Sequence, residues 1–169
     1  MKNISLIIIL LIGFSSCSQI PKDEALTFND RCIDITSPVF EEINLLMNIT
    51  SYRFNDKMKE VQNPTSKEEV NNQYEKTKAA IIKSSKELEK LKEVDESINL
   101  RLSIKNYLEE VNLIVKNDFK NLISDMEKEY TKEHLKKIIA SIQTIMEKLK
   151  KAQNSYHSKT NEFQNKYSI

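Results

Sequence analysis

The stretch 131–169, TKEHLKKIIASIQTIMEKLKKAQNSYHSKTNEFQNKYSI, decides the fold. Its apolar residues Leu135, Ile138, Ile142, Ile145, Leu149, Ala152, Tyr156, Phe163 and Tyr167 recur at spacings that put them on one face of an α-helix. Thr131 stands where an N-cap is wanted, and no glycine or proline interrupts the run. The pattern predicts a helix of about 36 residues and about 54 Å, at 1.5 Å per residue. A helix of that length with one apolar stripe needs partners to cover it.

The partners lie upstream. Val70, Tyr74, Thr77, Ile81, Ser84, Leu88 and Leu91 alternate spacings of four and three, the seam of a left-handed bundle. Pro64 and the capping-box pattern Ser66-Lys-Glu-Glu69 mark where this helix starts. A third segment carries Ile98, Leu102, Leu108, Val111, Val115, Phe119, Leu122 and Met126, its stripe widened by Leu100, Ile104, Tyr107 and Ile114, which makes it the most buried. Short polar breaks near 93–97 and 128–131 make consecutive helices antiparallel neighbours. The first segment holds Pro38, which permits two readings. Ser37 and Pro38 could open a helix as N-cap and first residue. Alternatively, a long helix begins near Asp23 and kinks at Pro38, because Phe28, Cys32, Ile35 and Val39 already follow helical spacing and Ile43, Met47, Phe54, Met58 and Val61 continue it. The second reading is preferred, since it balances the length of the last helix. The expected fold is all-α: an up-down-up-down antiparallel four-helix bundle over residues 24–169, with a long first helix kinked at Pro38 and a long fourth helix.

Composition narrows the function classes. The only glycine is Gly13, so residues 14–169 contain no glycine-rich phosphate loop, no dinucleotide fingerprint and no glycine turn for β-hairpins. Basic and acidic residues number 26 and 25, a balance that argues against a nucleic-acid binder.

The amino terminus supplies an address. Lys2 is a positive n-region, Ile4 to Ile12 an apolar core broken only by Ser5, and Gly13-Phe14-Ser15-Ser16 a small-residue approach to Cys17. This reads as a lipoprotein signal peptide, 1–16, ending in a lipobox whose Cys17 is the lipidation residue. Phe14 departs from the aliphatic residue usual at that position. An ordinary secretory signal is the first alternative; a retained anchor would need about 20 apolar residues, roughly twice this run. Acyl chains on Cys17 would attach the protein to a membrane, two or more being needed for stable anchoring. Ser18 follows Cys17 in place of the aspartate that retains lipoproteins at some inner membranes, so the bacterial outer membrane is the expected destination. Lys22-Asp23-Glu24 loosely resembles a charged surface-export tether, and residues 17–23 are read as the lipidated tether.

Candidate chemistry is sparse. With Cys17 acylated, Cys32 has no partner for a disulfide and is read as a small buried residue. His134 and His157 complete neither a Glu-x-x-His nor a His-Glu-x-x-His pattern. His134 is expected in solvent, and His157 is at most a weak ligand. Glu41-Glu42, Glu68-Glu69 and Glu109-Glu110 read as wet helix faces. Lys132, Lys136, Lys137, Lys148, Lys150 and Lys151 form a solvated stripe that either pairs with acids or meets anionic head groups or a polyanion. Tyr156 belongs to the core, while Tyr52 and Tyr130 could anchor an interface. No catalytic, cofactor-binding or metal-binding residue emerges.

Phe28-Asn29-Asp30, the third-segment aromatics Tyr107 and Phe119, and the closing Phe163-Gln-Asn-Lys-Tyr167-Ser-Ile169 resemble a family of small, all-helical bacterial surface lipoproteins found in leptospires and other Gram-negative lineages. The family carries Tyr-Asn-Asp and Phe-Ala-Lys-Lys-Tyr at the corresponding places; Pro38 is a departure. The resemblance implies a surface or outer-membrane-associated helical protein and assigns no catalytic residues. The expected function is therefore a non-enzymatic, lipid-anchored interaction module for an unknown macromolecular partner. The alternative is a carrier of a small apolar or lipid ligand, with Phe40, Phe54, Tyr107, Phe119 and Phe163 lining its cavity.

Overall fold

A computed structural model describes residues 20–59 and 62–169, which are all-helical, with no strand among them. The signal peptide and Cys17 lie outside these residues, as does Val61. Helix α1 spans Lys22–Lys59 and α2 spans Lys67–Lys90. A third rod, α3, joins Leu100–Leu113, a π-helical segment Ile114–Phe119 and Lys120–Asp125. The last helix, α4, spans Lys132–Tyr167, the 36 residues its periodicity predicts.

Helix starts follow local chemistry. Thr131 accepts the His134 amide at 3.1 Å, and the capping box is complete: Ser66 accepts from the Glu69 amide while the Glu69 carboxylate accepts from the Ser66 amide. At α3 the cap is Asn99 in the left-handed region at φ 54°, a conformation asparagine tolerates better than most residues. α1 runs uninterrupted through Pro38, so no helix starts at Ser37. Pro38 sits on an exposed face, where water can reach the carbonyl that the missing amide leaves unpaired.

One apolar core joins the four helices. Val39, Val70, Leu100, Ile104, Phe119, Ile138 and Phe163 are all fully covered. Each such aliphatic or aromatic side chain contributes about 1.5–3 kcal/mol on leaving water. α1 packs most extensively on α2 and α3 on α4, with α2 and α3 also in contact; α1 and α4 meet more thinly.

Two features depart from the periodicity. Leu102, expected in the α3 stripe, is 46% exposed, while Leu100 is completely buried. Leu100, Ile104, Tyr107 and Val111 stand at spacings of four, three and four, so the face that carries all of them turns inward and leaves Leu102, two residues on from Leu100, on the far side. The second is the π segment. Val111, Val115 and Phe119 are four apart, and 3.6 residues per turn would rotate each successive side chain off the core. The wider π turn absorbs the excess, and all three stay buried.

Candidate functional site

Buried Asp95 and Arg53 anchor two clasps, one at each end of the body. At the first, Asp95 between α2 and α3 accepts from Lys166 at 2.6 Å, from the Tyr167 hydroxyl at 2.8 Å and from the Ser97 amide and hydroxyl. Burial alone would raise its pKa, but the bonds from Lys166, Ser97 and Tyr167 outweigh that and hold the carboxyl far below the usual range. Glu93 next to it caps the amides of Val94, Asp95 and Arg101. At the other end Arg53 donates to Glu127 through two nitrogens, at 3.0 and 2.7 Å, and to the Thr65 carbonyl at 2.6 Å. Lys57 donates to the Met126 carbonyl, and its ammonium stands 4.9 Å from the Tyr130 ring centre. His134 is not simply solvated: its Nε2 donates to the Asp125 carbonyl at 2.8 Å. Donors at this end of α3 satisfy the carbonyls that a helix C-terminus leaves free.

Between the clasps lies an aromatic layer. Phe40 stacks on Tyr107 at 4.9 Å and on His157 at 5.7 Å; Tyr156 is 5.5 Å from Tyr107 and shares a 3.2 Å hydrogen bond with Thr36. The Tyr107 hydroxyl is buried without a partner, and desolvation pushes its pKa above the usual phenol range. Phe163 packs on Phe28 and Tyr167. Phe54 packs on Tyr130, whose hydroxyl is also buried and unpaired. The five aromatics proposed to line a cavity thus fall into separate packed groups, with Tyr107, Phe119 and Phe163 at most 2% exposed. A surface groove of about 490 Å³ between α3 and α4 is edged by Asp118, Asp125, Lys137 and Ser141.

Cys32 is completely buried, and desolvation, with a smaller contribution from Glu93, pushes its thiol up to about 12, an inert group. His134 and His157 are brought to different neighbours, and no group of three metal-ligand side chains occurs among the described residues. Of the six lysines, Lys137 pairs with Asp125 at 3.2 Å and Lys148 with Asp118 at 2.8 Å. Lys132, Lys136, Lys150 and Lys151 make no ion pair among the described residues and are exposed. Tyr156 is in the core, Tyr52 is 62% exposed and Tyr130 is half-buried. Glu42 is not merely a wet-face acid: its side chain and carbonyl receive Gln73, and its carbonyl also receives the Thr77 hydroxyl.

The clasps and the π turn escaped sequence reading because each depends on residues tens of positions apart or on helix rotation. Comparison of the chain with protein-family models, with curated proteins and with solved structures finds no match.

Proposed function

We propose that the chain is a lipid-anchored envelope protein of a Gram-negative outer membrane, acylated at Cys17, whose helical body serves as a non-enzymatic interaction module. The body is read as an up-down-up-down antiparallel four-helix bundle with α1 bent at Pro38. The resemblance to all-helical surface lipoproteins supports placement on the cell surface. The observation that carries the reading is the start of α1 at Lys22, five residues after Cys17. An acylated Cys17 and the helical body would be joined by four residues, and α1 takes in the last two residues, Lys22 and Asp23, of the expected tether. Buried Asp95 and Arg53 are engaged in the two clasps, and the exposed outer surface is the place for recognition.

Expression of the full chain in a Gram-negative host with a clickable fatty acid tests this. The expected result is label on the protein and its recovery in outer-membrane fractions; an unlabelled, soluble product would remove the reading. The carrier alternative has the orphan Tyr107 hydroxyl in its favour, and a native mass spectrum of the purified protein without retained ligand would dismiss it.

A further inference from the structure

The thin seam between α1 and α4 has an outer rim of lysines and exposed apolar side chains with few carboxylates. On α1 the rim runs through Lys22, Leu26, Ile33, Asn44, Ser51 and Met58, at separations that an α-helix returns to one side. On α4 it runs through Lys132, Lys136, Ile139, Met146, Lys150 and His157, again at helical separations. The two rows share a side because residues beside them meet across the seam: Thr36 bonds Tyr156, Phe40 stacks on His157, and Gln164 donates to Asn29. Of the seven carboxylates of α1 and the three of α4, Asp30 borders its row between Leu26 and Ile33 and Glu147 borders its row one turn before Lys150, and the others fall farther off.

What the rim does expose is specific. Five of the ten large apolar side chains exposed among the described residues stand on it: Leu26, Ile33, Met58, Ile139 and Met146. They are half the exposed apolar set on one strip, interleaved on α4 with Lys132, Lys136 and Lys150. On the opposite flank of α4, Lys137 pairs with Asp125 and Lys148 with Asp118, while Lys151 there stays exposed. Ammonium groups unpaired among the described residues, beside protruding aliphatic and thioether chains, suit the boundary of an anionic bilayer. Lys22 opens the α1 row within about 18 Å of Cys17, even for a fully extended tether. A soluble acidic partner would account for the lysines but not for the exposed aliphatic and thioether chains interleaved with them.

We infer that the α1–α4 face is a membrane-docking surface on which the body lies along an anionic phospholipid bilayer, Lys132, Lys136 and Lys150 over the head groups and Ile139 and Met146 in the interface. The orientation rests on the proposed acylation of Cys17; the affinity of the face for anionic lipid does not.

Flotation of the unacylated full chain with vesicles tests it, comparing pure phosphatidylcholine with a mixture containing phosphatidylglycerol. Insertion of the apolar amino-terminal segment contributes to both, so the excess on anionic vesicles reads the face. That excess is expected to fall on the order of 100-fold in a Lys132→Gln/Lys136→Gln/Lys150→Gln variant, at about one tenfold step per 1.4 kcal/mol and about 1 kcal/mol per lysine. It should survive Lys76→Gln/Lys83→Gln/Lys86→Gln on α2, which removes the same charge elsewhere. No anionic excess, or equal loss in both variants, overturns the inference, as does retention of the wild type by a heparin column without any vesicle effect. Lack of fatty-acid label on Cys17 in cells would instead strike the proposed anchor and leave the vesicle result to stand.

Discussion

The hydroxyl of Tyr167 donates to the Asp95 carboxylate at 2.8 Å across 72 positions of sequence, fastening the last turn of α4 to the connection between α2 and α3. With Lys166 and Ser97 on the same carboxylate, this acid is stabilised in its charged form by folding. Because its folded pKa is depressed, the stabilisation is present above the unfolded value of about 3.9 and is lost as pH falls toward the folded one. The melting temperature should hold from neutral pH to about 5 and drop below about 4. Asp95→Asn should lower stability at pH 7 by about 2 kcal/mol and flatten that acid limb; an unchanged limb in thermal melts would count against Asp95 as its source.

The Arg53 clasp depends on a planar fork. Arg53→Met should cost about 2 kcal/mol in urea unfolding, and Arg53→Lys should recover little, because an ammonium cannot serve Glu127 and Thr65 with the same geometry. A double-mutant cycle with Glu127→Gln should give a coupling of about 1 kcal/mol; additive losses would show the pair to be incidental.

The rotation of α3, with Leu100 inward and Leu102 outward, gives a paired test. Leu100→Ala should destabilise by about 2–5 kcal/mol, while Leu102→Lys should stay within about 0.5 kcal/mol of the parent. Reversal of that order in denaturant melts would place the helix in the other register.

Cys32 should resist thiol reagents in the folded protein and react at the rate of unfolding. A stoichiometric reaction under native conditions, complete within minutes, would contradict its burial.

Cys17→Ser removes the proposed acceptor for acylation. Fatty-acid label should vanish in cells, with the uncleaved precursor accumulating and the helical content of the body unchanged by circular dichroism. Label persisting on the serine variant would locate acylation elsewhere.

Helix number and boundaries were legible because apolar spacing and cap chemistry are local: Thr131, Ser66 and Glu69 each act within one turn. Continuity through Pro38 was legible as well, since Phe28, Cys32, Ile35 and Val39 kept helical phase ahead of it. Helix rotation was less so. Leu102 and Leu100 are equally apolar, and it is the packing of Leu100 on one face with Ile104, Tyr107 and Val111 that decides which faces inward. The π turn was hidden for a related reason, as spacings of four occur in ordinary helices too. The lysine stripe divided only in three dimensions, where Asp118 and Asp125 of α3 claim Lys148 and Lys137 and leave the rest to solvent.

The thin α1–α4 seam also bears on how quickly the body forms. Most interhelical contact is between helices adjacent in the chain, so little loop-closure entropy opposes the early steps, and topologies of this kind fold in microseconds to milliseconds. Among the described residues the seam joins the beginning of the body to its end, and the Asp95 clasp joins its middle to that end. Closure of both must wait for the last turns of the chain, so a nascent protein still lacking them can form the α1–α2 pair but cannot cover that pair's apolar flank.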